Sequence, residues 1–203
     1  MTVFNSLPTD DKLSQVVANL QSRGFVVSVV DTKAQALEAL KSILPKGTDV
    51  HTGSSTTLNQ IGAIEWIQNN SEINYWSPKI WAENDPVKRR EIRMNAASAS
   101  YVLGSVNAIT EDGKLVAVDA TGSRVGSYLF TAENLVIVSG TNKIVPTLDD
   151  AFARIKEFVF PKEDERAKQA YGNGSGMNKW IIIEREVMPN RVQVILVKEE
   201  LGF

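Results

Sequence analysis

Apolar residues recur along this chain in two alternating rhythms. Leu13, Val16, Val17 and Leu20 fall at i, i+3, i+4 and i+7, one stripe of a helix over residues 10–23, and Gly24 stops it. Residues 25–30 then form a near-continuous β-branched run, the composition of a strand covered on both faces. Thr32, with Gln35 three positions on, is a capping-box signal. It opens a helix with Ala36, Leu37, Leu40 and Leu44 on one face, closed at Pro45. This helix–strand–helix rhythm predicts a parallel sheet with crossover helices.

The rhythm continues. Residues 48–52 predict a short strand, and a glycine with four hydroxyl residues follows it directly. Thr57 and Gln60 repeat the capping pattern ahead of a helix carrying Leu58, Ile61, Ile64 and Ile67. Residues 70–84, with Trp76 and Trp81, lack a period and predict a cover for the sheet edge or a lid. Asp85 and Pro86 open a helix that runs to about Ala99. Strands follow at 101–104, 115–118 and 135–138, parted by turns at Glu111-Asp112-Gly113 and at Thr121-Gly122-Ser123-Arg124. Thr147 to Asp150 cap a helix with Ala151, Phe152, Ile155 and Phe158. Residues 161–178, charged and then rich in Gly and Asn, read as a surface loop. Residues 180–184 and 192–197 predict a closing antiparallel pair. The expected fold is a three-layer, Rossmann-like α/β/α domain with a mainly parallel sheet and a C-terminal antiparallel strand pair. It is one domain over 1–203, with residues 1–9 as a disordered or extended lead.

Three polar loops follow predicted core strands: residues 53–57, 105–113 and 140–143. If those strands are parallel, the loops share one sheet edge, where open α/β sheets bind ligands. Gly53, Ser54, Ser55 and Thr56 run into a helix start, so free N–H groups and the helix dipole favour an anion there; the same residues are also good caps. Asn107, Gly113, Arg124, Asn142 and Lys143 complete the candidate binding set. Arg124 can clamp a carboxylate or phosphate through two parallel hydrogen bonds or, equally, cap a strand end. Glu111 is the candidate acid/base or nucleophilic carboxylate, since partial burial would raise its pKa toward the useful range; as plain structure it is a turn residue. His51, beside the glycine turn, could titrate near neutrality or simply be packed.

Composition narrows the chemistry. A net charge of −2 over 203 residues argues against nucleic acid or an anionic membrane as partner. With no cysteine and one histidine, no disulfide, thiolate nucleophile, cysteine-ligated zinc or cysteine-ligated iron–sulfur cluster is expected in this chain, and no other metal site or cofactor. The N-terminal residues lack a secretion-signal pattern and no apolar run approaches a membrane span, so a soluble, cytoplasmic protein is expected.

The runs GSVNAITEDGKLVAVDATGSRV, LVIVSGTNKIVPTLDDAFARI and RVQVILVKEELGF, with the loop GSSTTLNQIG, resemble the LUD-domain family of the lactate utilization protein C type. The resemblance spans about residue 10 to Phe203. It implies the superfold shared by ribose-phosphate isomerase, glucosamine-phosphate deaminase, CoA-transferases and methenyltetrahydrofolate synthetase. It implies further that Gly53, Ser54, Ser55 and Thr56 sit where sugar-phosphate enzymes hold phosphate. Asn107 and Glu111 fall in a segment comparable to the one supplying the CoA-transferase carboxylate. The implied role is in L-lactate or organic-acid metabolism, binding a small anionic metabolite beside iron–sulfur partner proteins, with homo-oligomerisation left open. The alternative is a stand-alone enzyme on a phosphorylated sugar, CoA ester or folate-type substrate using Glu111. One departure matters: many relatives carry cysteines where this chain reads KQAYGNGSGMNKW at 168–180, so a redox or metal role of that segment does not transfer.

Overall fold

The computed structural model describes residues 4–203, and the expectation for residues 1–3 lies outside them. In chain order the elements are α1 (Asp10–Ser22), β1 (Val26–Val30), α2 (Lys33–Ile43), β2 (Asp49–Thr52), α3 (Thr56–Gln60), α4 (Ala63–Asn69), β3 (Asn74–Tyr75), α5 (Ser77–Ala82) and α6 (Pro86–Ala96). They continue with β4 (Tyr101–Gly104), β5 (Ala108–Thr110), β6 (Leu115–Asp119), α7 (Ser123–Gly126), β7 (Asn134–Gly140), β8 (Ile144–Val145), α8 (Leu148–Arg154), α9 (Phe160–Tyr171), β9 (Lys179–Ile183) and β10 (Val192–Val197). Single π-helical turns extend α7 through Thr131 and join α8 to α9.

Six strands form an all-parallel sheet in the order β1-β10-β7-β4-β2-β3. Its central strands are apolar on both faces, as a sheet covered on both sides requires. Leu135 and Ile137 of β7 enter the core beneath α1, with Leu13, Val16 and Leu20. Val136 and Val138, pointing the other way along the pleat, enter the core beneath α2, α3 and α4, with Ala36, Leu40, Leu58 and Ile67. A second, four-stranded sheet runs β8-β5-β6-β9. Ile109, Leu115, Ala117 and Ile183 face the α1 core, and Ala108, Val116 and Val145 face Ala151, Ile155 and Val159 of the α8–α9 helix. The α/β/α sandwich therefore carries an extra sheet between the parallel sheet and α8–α9.

Several expectations are corrected. Strands β9 and β10 do not pair: β9 lies antiparallel to β6, while β10 inserts between β1 and β7 as a parallel strand. Residues 161–178 are not all loop, since α9 continues to Tyr171 with one buried residue, Ala167. The helix expected over Leu58–Ile67 breaks at Gly62. Its cap is Ser55, whose side chain accepts from the Leu58 N–H at 3.3 Å, and Gln60 instead accepts from the N–H of Gly202 at 2.6 Å. Residues 70–84 contain a short strand and a helix. The capping boxes at Thr32 and Thr147 and the Asp85-Pro86 helix start form as read.

The end of β4 is the tightest packing point near the cleft described below. A Cβ on Gly104 would lie 1.7 Å from the hydroxyl of fully buried Tyr128, which also accepts from the Ser105 N–H at 3.1 Å. Gly104→Ala is therefore expected to destabilise the fold by roughly 3 kcal/mol, the upper part of the overpacking range. Denaturant unfolding of the variant checks this, and an unchanged midpoint would contradict the close approach.

Candidate functional site

Strands β2, β4 and β7 end on one edge of the parallel sheet, and the polar residues after each converge there. They floor a cleft of about 350 Å³ lined by Gly53, Ser54, Ser55, Thr56, Thr57, Ser105, Asn107, Asp119, Arg124 and Lys143. Ser77, Ile80 and Trp81 of α5 with Arg93 of α6 make one wall. Glu163, Arg166 and Tyr171 of α9, with the segment 174–177, make the other. Trp81 and Tyr171 stack across these walls with ring centroids 5.8 Å apart and planes 12° from parallel.

Lys143 is the centre of the floor. Only 2% exposed, its Nζ lies 3.0 Å from Thr57 Oγ1, 3.1 Å from Ser105 Oγ and 3.2 Å from the Val106 carbonyl oxygen. No carboxylate is paired with it among the described residues. Burial drives its pKa well below the ordinary lysine value, and the nearby Arg154 and Arg124 guanidiniums push the same way. Gly202 permits this geometry: a Cβ there would lie 2.4 Å from Thr57 Oγ1 and 2.8 Å from Lys143 Nζ.

Arg124 is fixed by its surroundings rather than free to swing. Its Nη1 donates to the Ser105 carbonyl at 3.0 Å and Nη2 to the Val118 carbonyl at 2.7 Å, and its guanidinium lies 5.5 Å from the centre of the Tyr128 ring. Asp119 stands 3.5 Å from its Nε. Burial alone would raise the Asp119 pKa, but the Gly122 N–H, the Arg124 guanidinium and the Thr121 N–H outweigh it and hold the carboxylate ionised below its usual range. Arg154, fully buried on the core face of α8, donates from Nε to the Phe4 carbonyl at 2.9 Å, while its Nη2 has no partner among the described residues. Burial lowers its pKa to about 10.

Of the residues expected at the site, Gly53, Ser54, Ser55, Thr56, Asn107, Arg124 and Lys143 meet in the cleft. Glu111, Gly113 and Asn142 do not line it. The β5–β6 hairpin carries Glu111 away from the strand ends to α1, where it pairs with Lys12 at 2.6 Å and its carbonyl accepts from Asn19. Gly113 lies in the same turn, against the backbone of Asn19. Asn142 is buried and structural, donating to Asn5 Oδ1 at 2.7 Å and accepting from the Leu201 N–H at 3.2 Å. Asn107 lines the cleft yet is also tied down, accepting from the Val118 N–H at 2.9 Å. The sequence reading missed Asp119, Thr57, Ser105 and Arg154. An Asp two residues before Thr-Gly, as in DATG, is a side-chain turn signal that could have flagged Asp119. Arg154, between Ala151 and Ile155 on an apolar stripe, is a charge where a core residue belongs. Among the described residues no group of three or more His, Cys, Asp or Glu side chains could hold a metal, and no helix is long and apolar enough to cross a membrane.

Compared with known proteins, the chain matches the family model described as the LUD domain over residues 13–197. A crystal structure of a DUF162 family protein from Deinococcus radiodurans shares the fold, with a TM-score of 0.57 and 15% identity over 95% of this chain and 99% of that one. The eIF2B delta structure from Chaetomium thermophilum is more distant, at TM-score 0.39 and 12% identity over 70% of this chain and 55% of that one, and carries no argument. By sequence the chain matches none of the curated proteins.

His51, also in the cleft lining, is 8% exposed, and its Nδ1 has no partner among the described residues. Burial first, and the Arg93 charge second, lower its pKa to about 4. The unfolded chain therefore binds this proton from about pH 6.5 downward while the folded chain does not, so stability is lost between those two values. The loss should reach roughly 3 kcal/mol near pH 4, at about 1.4 kcal/mol per unit. Denaturant titrations of wild type and His51→Gln check it: the variant should lose most of the slope between pH 6.5 and 4, and an equal slope in both would assign it elsewhere.

Proposed function

The chain belongs to the LUD-domain family, and we propose that it serves organic-acid metabolism of the lactate-utilization type as a small-anion-binding component working beside redox partner proteins. One observation carries the anion: the cleft holds positive charge with no matching carboxylate. Arg93 at the wall rests 5.6 Å from the Trp81 ring centre and is paired with no carboxylate among the described residues; neither is Arg154 beneath the floor. The two carboxylates of the lining are already engaged, Asp119 by Arg124 and backbone N–H groups, Glu163 by two hydrogen bonds of 2.7 Å from Arg166. Guanidiniums out of bulk water favour a counter-charge. A carboxylate or phosphate is of a size for the 350 Å³ cleft and its Gly-Ser-Ser-Thr loop. The redox partners are proposed from the family alone; these 203 residues themselves hold no cysteine with which to ligate a cluster.

The enzyme reading built on Glu111 loses its carboxylate, because that side chain is ion-paired to Lys12 outside the cleft.

Thermal unfolding in L-lactate, pyruvate and inorganic phosphate tests the proposal. A bound anion at a hundredfold its Kd adds about 2.7 kcal/mol, which for a chain of this size is on the order of 5–10 °C in Tm. Arg93→Gln should reduce the shift without lowering the unliganded Tm by more than a degree or two. No stabilisation by any of the three anions would overturn the reading.

A further inference from the structure

We propose that Ser105 and Lys143 form a nucleophile–base pair, and that the cleft can accept an acyl group from an ester or thioester of a small carboxylic acid. This goes beyond anion binding and rests on the geometry of the floor alone.

The argument begins with the hydrogen-bond capacity of an amine. A protonated lysine has three donors and no acceptor, whereas a neutral one has two donors and a lone pair. The Nζ of Lys143 has three near neighbours: the Val106 carbonyl, which can only accept, and the Thr57 and Ser105 hydroxyls, which can do either. The neutral amine satisfies all three by donating to Val106 and to Thr57 and accepting from Ser105. Burial beside two guanidiniums, with no carboxylate, favours that neutral form. The two hydroxyls are not equivalent. Thr57 is 1% exposed and lies under the Gly202 backbone, where even a methyl group would collide with its oxygen. Ser105 stands at the C-terminal end of β4, is 6% exposed and lines the cleft. Ser105 is thus the hydroxyl a substrate can reach, and Thr57 holds the amine in place.

The backbone fixes this pair independently of any ligand. The Ser105 N–H donates to Tyr128 Oη at 3.1 Å, and its carbonyl accepts from Tyr128 at 3.2 Å and from Arg124 at 3.0 Å. A serine held through both its N–H and its carbonyl has its Cα–Cβ bond fixed, and the 3.1 Å contact with Lys143 Nζ sets Oγ beside its base. In the step, Oγ attacks the acyl carbon and its proton passes to Lys143 Nζ. The carbon–heteroatom bond then breaks, and the ammonium returns the proton to the departing alkoxide or thiolate. Water attacks the acyl-serine by the same route in reverse, releasing the acid. The Arg124 and Arg154 charges that suppress protonation of Lys143 also favour the negative charge developing on the carbonyl oxygen.

The test uses a neutral activated ester, p-nitrophenyl acetate, so that reaction does not depend on anion binding. Rapid mixing should show a burst of about one equivalent of p-nitrophenolate, with the acetyl group found by peptide mass spectrometry on Ser105. Ser105→Ala and Lys143→Met, each checked for a native circular dichroism spectrum, should lose the burst at least a hundredfold, and Thr57→Val should slow it without abolishing it. If Lys143→Met fails to fold, Lys143→Gln replaces it: a neutral donor to the Val106 carbonyl and Thr57 is retained, the base is not, and the burst should still vanish. Acetylation scattered over surface lysines, acetylation of Lys143 itself, or no burst would overturn the pair. Anion stabilisation of Tm without a burst would leave the anion-binding reading standing and remove this one.

Discussion

The convergence of three parallel strand ends on one buried amine is the constraint from which the rest of the cleft follows. Parallel strands bring β2, β4 and β7 to a common edge, but nothing in a sheet ladder ties the loops beyond them together. Lys143 does so, reaching Thr57 after β2 and Ser105 and Val106 after β4 from its own place after β7. That arrangement imposes two further demands. The chain must pass close over Nζ without a side chain, which Gly202 meets, and β4 must end without one, which Gly104 meets so that Tyr128 can reach under Ser105. A charged lysine would carry a large desolvation cost in such a place. The neighbouring arginines resolve this by favouring the neutral form.

Arginine is used throughout as a staple for carbonyls that regular structure leaves open. Widening a helix to a π turn shifts the backbone ladder, and the turn over residues 127–131 shows the consequence. Arg191, paired with Glu186 at 2.7 Å, donates to the carbonyls of Ser127, Tyr128 and Ala132. Arg124 treats Ser105 and Val118 in the same way, and Arg154 treats Phe4. A planar group with five donors suits this work, because one side chain can satisfy two or three carbonyls at fixed angles. These arginines differ in one respect: Arg191 has its carboxylate, whereas among the described residues Arg154 has none and keeps an unpartnered Nη2.

The local parts of this design were legible in the sequence and the non-local parts were not. The apolar run of β7 read as a buried strand because burial on both faces leaves no polar alternation to interpret, whereas the same reading fails for β1, an edge strand whose Val26 and Val29 are exposed. The convergence of the loops at 53–57, 105–113 and 140–143 was expected from the parallel sheet alone; the start of the middle loop joins the cleft, and Glu111 and Gly113 do not. The partner of β10 was not legible: its sequence suits an antiparallel hairpin with β9 as well as a central parallel slot, and only the completed sheet distinguishes them. Glu111 was misplaced for a related reason. Three residues of β5 followed by a tight turn reverse the chain, so a residue four positions past Asn107 lies at the far end of a hairpin from the cleft. The length of α9 was hidden by its polarity, since a helix that buries only Ala167 carries no apolar stripe.

The segment KQAYGNGSGMNKW at 168–180 forms part of the cleft wall. Residues 168–171 close α9 and bring Tyr171 against Trp81, and Gly174, Ser175, Gly176 and Met177 then line the cleft. Asp164 fixes the bend by accepting from the Ser175 N–H at 2.9 Å. Asn178 and Lys179 then donate to the carbonyls of Ala120 and Thr121, just past Asp119. The segment is therefore a wall fastened at one end to α9 and at the other to the turn that orients Arg124. Its Gly, Ser and Asn residues supply what a wall needs: a tight path, backbone hydrogen bonds and a polar face toward the cleft. The floor is built from the ends of β2, β4 and β7 together with Asp119 and Arg124, which follow β6 of the second sheet.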